Sequence, residues 1–181
     1  MTAAPVRPPP TDGGAPRPAD GAPGRDACLE LYSRLAAGVA IVTARGVGGP
    51  VGMTASSVTS VSLRPPLLLV ALASGSRTLE AVRTRRALAV HLLRADQRDL
   101  AERFASREPH RFAGLEAREV LGVPVLPDVL AWAVCGLPEL RPYGDHVVVV
   151  ARVAATDVAG GRPLIWHDRR FAQLVEAKPA G

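Results

Sequence analysis

Apolar and polar positions divide the chain into short segments that are typical either of strands or of helices. Apolar runs of strand length predict strands at 39–44, 66–73, 88–93, 129–137, 146–158 and 164–167. Apolar residues at helical spacing predict helices within 28–38, 74–87 and 96–106. Because most strands follow one another through short turns, the pattern predicts a mainly β (α+β) fold. We expect a barrel of about six or seven largely antiparallel strands, with two or three helices packed outside it.

Single residues near the ends of these segments give finer expectations. Ser74 or Ser76 is placed to cap the second helix, and Asp96 is placed to cap the third. The run Pro66–Ala73 shows no polar alternation, which predicts a strand buried on both faces. Residues 107–128 contain scattered glycine and proline and are predicted to form a loop.

The segment 51–66 departs from the strand pattern because hydroxyl side chains occur on both of its faces. They belong to Thr54, Ser56, Ser57, Thr59, Ser60 and Ser62. A buried hydroxyl without a partner costs about 1–3 kcal/mol, so one face must meet something polar. Two explanations stay open. Thr54, Ser56, Ser57 and the amides between them bind a planar ligand, or the segment is an edge strand whose hydroxyls meet water or a neighbouring strand.

Two further segments carry candidate chemistry. Residues 74–78 open a helix directly after an apolar strand, and the free amides there, with Ser76, Arg77 and Thr78, form a candidate phosphate site. Ordinary helix capping is the commoner explanation of such a segment. His146 begins a long apolar strand after a Gly–Asp turn, either as a strand-end histidine or as a donor or proton carrier in a pocket.

The remaining histidines and cysteines suggest little chemistry. His91 lies within an apolar strand as a core or pocket-lining residue, and no histidines pair at the spacing of metal ligands. Cys28 and Cys135 are far apart and are expected to be free thiols. Residues 169–171 form a basic and aromatic cluster that either closes over a ligand or is a solvated end.

The composition fits one domain with a tail. The chain has 181 residues, of which 48% are hydrophobic. The Pro-, Ala- and Gly-rich residues 1–26 are expected to be disordered, which leaves 27–181 as the domain.

No apolar run reaches the ~18 residues of a membrane helix and no signal-peptide pattern is visible, so we expect a cytoplasmic protein without membrane contact. The net charge of +5 comes from scattered arginines, and aromatic residues are few. We therefore expect phosphate-bearing ligands, not nucleic acid.

Several motifs, in order, resemble those of the flavin reductase family, the small reductase components of two-component flavin monooxygenases. The resemblance covers nearly all of residues 28–171, and its most specific part is the combination of GMTASS, SLRPPL, GDH and PLI. Further matching stretches are LAVHLL, LAERFAS with a later RF, and GVPVLPDVLAWAVC. The chain departs from the family at His91, where asparagine is frequent, and at 168–171, where DRRF replaces a GGRY-like ending.

The resemblance implies an FMN-binding split β-barrel of Greek-key topology that forms a homodimer. It implies that NADH or NADPH reduces free FMN or FAD, which then serves a partner flavin-dependent monooxygenase. His146 would meet the nicotinamide as the catalytic residue. The cofactor would contact Thr54, Ala55, Ser56, Ser57, Ala71, Leu72, Ala73, Ser76, Arg77, Thr78, Arg103, Phe104, Arg170 and Phe171. Hydride transfer between stacked rings needs positioning above all, so no protein nucleophile or metal is expected.

Two other functions stay open from the sequence. His91 and the altered ending at 168–171 would suit a non-enzymatic flavin- or haem-binding split-barrel carrier or sensor. Net charge and the Pro-rich tail would suit a barrel that binds nucleic acid or a protein partner, a hypothesis that rests on composition alone.

Overall fold

The fold is mainly β with three helices, as the hydrophobic pattern predicts. A computed structural model describes residues 21–175. The helices are α1 (Arg25–Ser33), α2 (Arg77–Arg85) and α3 (Arg98–Ala105). The strands are β1 (Ala37–Gly38), β2 (Ala40–Gly46), β3 (Gly49–Ala55), β4 (Thr59–Leu63), β5 (Pro66–Ala73), β6 (Ala87–Leu92), β7 (Arg118–Val120), β8 (Val123–Val125), β9 (Ala131–Tyr143), β10 (His146–Val158), β11 (Leu164–His167) and β12 (Arg170–Gln173).

Seven strands form one antiparallel sheet in the order β3-β2-β6-β9-β10-β5-β4. Its two edge strands, β3 and β4, are consecutive in the chain and are joined only by residues 56–58. The side chains of six of these strands meet in one buried cluster. The sheet therefore curls around a core, and the short connection 56–58 lies where its two edges approach.

Helix α2 packs into this main core. Its buried Leu79 and Val82 are one turn apart, as the i, i+3 spacing predicts, and they join the cluster formed by the sheet. Ser76 caps the helix, because its Oγ accepts a hydrogen bond from the amide of Leu79 at 3.2 Å. The start of α2 is thereby fixed directly after β5.

A long hairpin of β9 and β10 brings His146 to the end of β5. The two strands have 13 residues each and turn at Gly144 and Asp145, with Gly144 at a φ of 58°. β10 pairs with β5 so that His146 lies opposite Ala73. The end of β5, the start of β10 and the start of α2 therefore share one region of the molecule.

A second core lies under α3. Phe104 of α3 is fully buried with Ile41 of β2, Leu126 and Leu164, and the strands β11 and β12 cover it through Trp166 and Phe171. This layer attaches α3 and the C-terminal strands to the outside of the sheet, next to β3.

Several predictions of local structure are confirmed and others are wrong. β5, β10 and β11 occupy the predicted residues 66–73, 146–158 and 164–167. Part of the predicted loop 107–128 is the hairpin of β7 and β8, whose strands of three residues each are too short to show a periodic pattern. The strand β12 was not predicted for the same reason.

Two further predictions, the cap of α3 and the burial of β5, are wrong. The N-cap residue of α3 is Gln97, not Asp96, whose carboxylate instead pairs with Arg94 at 3.2 Å. In β5 only Val70 and Leu72 are fully buried, and most other side chains are half-buried. A single chain therefore covers one face of β5 well and the other face only in part.

The remaining expectations concern the thiols, membrane helices, metal sites and the tail. Both cysteines are free thiols, with Cys135 buried. Within residues 21–175, no helix is long and apolar enough to cross a membrane, and no group of three or more His, Cys, Asp or Glu side chains could hold a metal ion. Most of the tail expected at 1–26 lies outside the described residues, and α1 begins at Arg25.

Candidate functional site

The hydroxyls of the segment 54–57 differ in their partners, since those of Thr54 and Ser57 bond to neighbouring elements of the fold. Thr54 Oγ1 donates to the carbonyl oxygen of Ala101 in α3 at 2.6 Å. Ser57 Oγ donates to the carbonyl oxygen of Ala71 at 2.8 Å and accepts from its amide at 3.1 Å. Ser56 is exposed and has no hydrogen-bond partner within residues 21–175. Thr54 and Ser57 thus hold the segment in place, and Ser56 is left to meet a ligand or water.

The start of α2 provides a second group of donors beside this segment. Its N-terminus follows β5 directly, and the amide of Ser74 donates to the carbonyl oxygen of Asp145 at 3.0 Å. Ser76, Arg77 and Thr78 all line the same cleft. The first amides of a helix carry a partial positive charge, so this position suits a phosphate group.

A cleft of about 890 Å³ runs between α2 and the hairpin of β2 and β3. Its lining extends along α2 from Ser76 to Arg85 and along the hairpin from Arg45 to Thr54. Phe104 and residues 109–112 complete the wall. Arginine outnumbers acidic residues in this lining, which makes the cleft suited to an anionic ligand.

Two arginines of the cleft, Arg77 and Arg111, repel each other. Arg111 donates to the carbonyl oxygens of Gly52, at 2.7 Å, and of Ser106, so the backbone fixes its guanidinium. Burial lowers the pKa of Arg111, and the positive charge of nearby Arg77 lowers it further. Neither arginine forms a salt bridge within residues 21–175, so their mutual repulsion is not offset by a carboxylate there.

A second, smaller groove of about 500 Å³ lies on the other side of Thr54. It is lined by Ala55, Ser56, Arg170 and Phe171 among others, so the chain's C-terminal cluster faces the hydroxyl-rich segment. Phe171 packs edge-on against Trp166 with ring centroids 5.0 Å apart. Thr54 lines both spaces, so the groove and the cleft meet there.

His146 lies at the exposed end of β10. Its side chain is 48% exposed, and Nδ1 is 2.8 Å from Oδ1 of Asp145. This hydrogen bond, followed by the charge of His146, lowers the pKa of Asp145. Because Asp145 engages Nδ1, Nε2 remains the ring atom available to a ligand.

Three of the residues implied by the resemblance have side chains that are buried or already bonded within the fold. Leu72 is fully buried in the main core, and Phe104 is fully buried beneath the cleft that it lines. Arg103 lines neither space, because its guanidinium donates to the carbonyl oxygens of His110, at 3.3 Å, and of Ala113. Arg103 therefore holds the loop that carries Arg111.

His91 is a core residue. It is fully buried, and Nδ1 lies 3.0 Å from the carbonyl oxygen of Ile41 while Nε2 accepts from the amide of Leu126 at 3.1 Å. Burial lowers its pKa from 6.5 to about 4, so the ring is neutral near pH 7. Since both nitrogens are engaged, His91 is not free to ligate a haem, and the carrier hypothesis loses one of its two arguments.

The sequence assigns no role to two residues of this site, Arg111 and Gly52. Arg111 belongs to the RF pair of the resemblance, but only the fold shows that it faces Arg77 across the cleft. Gly52 belongs to GMTASS, and its lack of a side chain allows the ring of Phe104 to lie against β3. Contacts between residues about 50 positions apart have no local signal in a single sequence.

Comparisons with known proteins show the family of the chain. The family model described as "Flavin reductase like domain" matches residues 32–175. The chain belongs to the flavin reductase family. It is 42% identical to the actinorhodin polyketide dimerase of Streptomyces coelicolor, over 83% of this chain and 87% of the relative. It is 37% identical to the NADH:FMN oxidoreductase of Rhodococcus erythropolis, over 75% of this chain and 74% of the relative.

Solved flavin reductases share the fold. The NADH:FAD oxidoreductase SgcE6 of Streptomyces globisporus C-1027, solved in complex with NAD and FAD fragments, matches with a TM-score of 0.78 and 27% identity, over 83% of this chain and 93% of that chain. The flavin reductase PheA2 in its native state matches with a TM-score of 0.78 and 28% identity, over 84% of this chain and 99% of that chain. The predicted split-barrel fold of the flavin reductase family is confirmed.

Proposed function

We propose that the protein is an NADH-dependent flavin reductase that supplies reduced flavin to a monooxygenase. One structural observation supports this most directly. The hydroxyl-rich segment 54–57, the start of α2 and His146 all meet in one region, where β5 ends and β10 begins, through the bonds of Ser57 to Ala71 and the pairing of Ala73 with His146. The polar segment 54–57, the anion site at the start of α2 and the exposed imidazole of His146 are the groups that a flavin and a nicotinamide require.

The segment 54–57 is suited to hold the flavin ring. The bonds of Thr54 to α3 and of Ser57 to β5 fix its backbone, so that amides and the hydroxyl of Ser56 are positioned before a ligand arrives. Ala71 and Ala73 are small and half-buried, and they leave room beside the segment. Leu72 contributes through its backbone, because its side chain lies in the core.

The cationic end of the cleft is suited to hold the flavin phosphate. Ser76, Arg77 and Thr78 present amides, hydroxyls and a guanidinium at the start of α2. Arg170 and Phe171 line the adjoining groove with Ser56, where they would cover the exposed side of the segment.

His146 is suited to orient the nicotinamide. Asp145 holds Nδ1, which fixes the ring and leaves Nε2 for a hydrogen bond to the ligand. The bound flavin and nicotinamide themselves supply the redox chemistry, the passage of a hydride from one ring to the other. The protein's task is to hold the two rings in contact.

The assembly is proposed to be a homodimer in the cytoplasm, where nicotinamide is available. The partly covered face of β5 and the exposed apolar side chains of Leu31, Tyr32 and Leu35 support a second copy as the covering layer. Light scattering should give the mass of two chains. A monomeric mass at micromolar concentration would contradict this.

The activity is tested with purified protein and a two-by-two grid of NADH or NADPH with FMN or FAD, followed at 340 nm. We expect turnover with NADH and at least one flavin. An Arg77→Gln variant should raise the KM for flavin about tenfold through the lost charge on phosphate, and an Arg83→Gln variant should not. No turnover in any of the four combinations would overturn the proposal.

A further inference from the structure

The turn between β11 and β12 has a backbone conformation that its two residues rarely adopt. It consists of Asp168 and Arg169 alone, because the residues on either side of them pair with each other. Their φ angles are 53° and 57°, so both lie in the left-handed region. Glycine enters this region without steric cost, whereas a residue with a Cβ does not. The backbone is therefore strained at this turn, and contacts of the two residues must offset the strain.

Both residues of the turn contact helix α1. Asp168 Oδ1 lies 3.6 Å from Nη1 of Arg34, the C-cap residue of α1, and the amide of Asp168 donates to the carbonyl oxygen of Ser33 at 2.7 Å. Arg169 Nη2 lies 3.7 Å from Oε2 of Glu30. Glu30 also pairs with Arg34, so these charges form one network. A single exposed ion pair contributes little, but a network beside a backbone hydrogen bond can hold one geometry.

Helix α1 depends on this turn for its attachment. Within residues 21–175, every hydrogen bond and salt bridge between 25–34 and any residue after 36 runs to Asp168 or Arg169. In the same part of the chain, α1 adds no side chain to any of the three buried clusters, and Leu31 and Tyr32 are exposed. The helix and the turn therefore hold each other, and a change in one is transmitted to the other.

The residues that follow the turn form a wall of the groove beside the segment 54–57. Arg170 and Phe171 of β12 both line this groove. Asp168 Oδ2 lies 3.5 Å from Nη2 of Arg170. Arg98 of α3, which also lines the groove, lies over the ring of Phe171 at 5.4 Å from its centroid. One oxygen of Asp168 thus faces α1, and the other faces the wall of the groove.

We propose that Asp168 is a positioning residue, which fixes this wall of the groove by joining Arg170 to Arg34 of α1. The carboxylate keeps Arg170 and Phe171 beside the segment 54–57, so the wall is in place before a flavin ring binds. Asp168 itself does not line the groove, so it acts through Arg170 and not by contact with the ligand. The inference rests on the proposed function and deepens it, because it gives the turn and α1 a part in holding the flavin ring.

Riboflavin separates the ring from the phosphate. It carries the same ring as FMN but has no phosphate and no net charge, so salt does not screen its attraction to the protein. A wall that is held by exposed ion pairs is loosened by salt. The salt dependence of riboflavin binding therefore reports on the ion pairs of the turn, and not on the phosphate site at the start of α2.

The experiment titrates riboflavin and FMN by quenching of flavin fluorescence, at low salt and at about 1 M NaCl, where the screening length is about 3 Å. Asp168→Asn removes the charge without adding strain, because asparagine adopts the left-handed region more readily than most residues. Asp96→Asn is the matched control. It breaks another exposed salt bridge, to Arg94 at 3.2 Å, and Asp96 lines neither the cleft nor the groove. Circular dichroism checks that the variants fold.

At low salt, Asp168→Asn should weaken riboflavin and FMN binding by the same factor, about threefold. Salt should lower the riboflavin affinity of the wild-type protein to that of Asp168→Asn and should leave the variant nearly unchanged. Arg34→Gln should have the same effect as Asp168→Asn, and the double variant should show no further loss, because both changes break one network. Asp96→Asn should behave as wild type in every titration.

The inference is overturned if Asp168→Asn binds riboflavin as tightly as wild type, if Asp96→Asn has the same effect, or if wild type and Asp168→Asn share one salt dependence. It also falls if the wild-type protein binds FMN but not riboflavin, since the ring is then not held by this wall. In each of these cases the binding of FMN leaves the proposed function intact. If the wild-type protein binds neither flavin, the proposed function falls as well.

Discussion

The ring of Phe104 lies so close to Gly52 that a Cβ atom at Gly52 would be 2.8 Å from Phe104 Cε1 and 3.0 Å from the carbonyl oxygen of Val42. Real Cβ atoms do not approach other atoms this closely, and one of these neighbours is backbone that cannot move aside. Helix α3 therefore contacts β3 through a position that only glycine fills. Arg111 bonds the carbonyl oxygen of the same glycine, so Gly52 joins α3, β3 and the cleft.

A Gly52→Ala variant is expected to lose about 1–3 kcal/mol of unfolding free energy, because the extra methyl group displaces Phe104 from the second core. Urea denaturation measures the loss. Gly136→Ala is the matched control, since Gly136 also lies in a strand and a Cβ there meets nothing within 4 Å. Equal stability of Gly52→Ala and wild type would show that the ring moves aside at no cost.

The fully buried His91 should make stability depend on pH. Its pKa is about 4 in the folded chain against 6.5 for an ordinary histidine, so the unfolded chain binds the extra proton first. The stabilisation is fully present above pH 6.5 and is lost as the pH falls towards 4, up to about 3 kcal/mol at about 1.4 kcal/mol per pKa unit.

Replacing His91 with asparagine should remove this part of the pH dependence while keeping one donor and one acceptor. Unfolding free energies at pH 7, 6, 5 and 4 test the expectation. His167→Asn, which exchanges a less buried histidine, should keep the wild-type slope. A slope unchanged in His91→Asn would mean that other groups cause the acid sensitivity.

Ser57 is expected to stabilise the protein even without a ligand, because its hydroxyl makes two hydrogen bonds to Ala71. Ser57→Ala should lower the unfolding free energy of the ligand-free protein by about 0.5–1.5 kcal/mol per lost bond and weaken flavin binding. Ser56→Ala should leave the ligand-free stability unchanged and affect only flavin binding. If both variants are as stable as wild type, Ser57 does not hold the segment.

His146→Ala is expected to raise the KM for NADH about tenfold and to leave flavin affinity within twofold, because the imidazole is proposed to meet the nicotinamide and not the flavin. Asp145→Asn should have a smaller effect in the same direction, since it weakens the hydrogen bond that orients the ring. Steady-state kinetics and fluorescence titration separate the two quantities. Comparable losses of nicotinamide use and flavin affinity would contradict the role of His146.

The sequence could predict those elements whose pattern is local. β5 and β10 are long apolar runs bounded by turn residues, and both lie where they were predicted. The capping of α2 by Ser76 is likewise local, since it joins residues three apart. Strands of three or four residues, such as β7 and β12, carry too little pattern to be recognised.

The candidate site was only partly predictable because its geometry depends on distant residues. The hydroxyls of residues 54–57 are unusual in the sequence, but Ala101 and Ala71, their partners, are ordinary alanines that bond through the backbone. The charge of Arg111 is visible in the sequence, whereas its approach to Arg77 requires the fold. The resemblance could not separate Arg103, whose guanidinium bonds the loop, from residues that line the cleft.

Thr54 forms part of both the cleft and the groove. Ala105 of α3 lines both spaces as well, so two small side chains stand between the two chambers, and Thr54 is fastened to α3 by a single hydroxyl. Enlarging Thr54 would narrow both chambers at once, whereas trimming it would widen the opening between them.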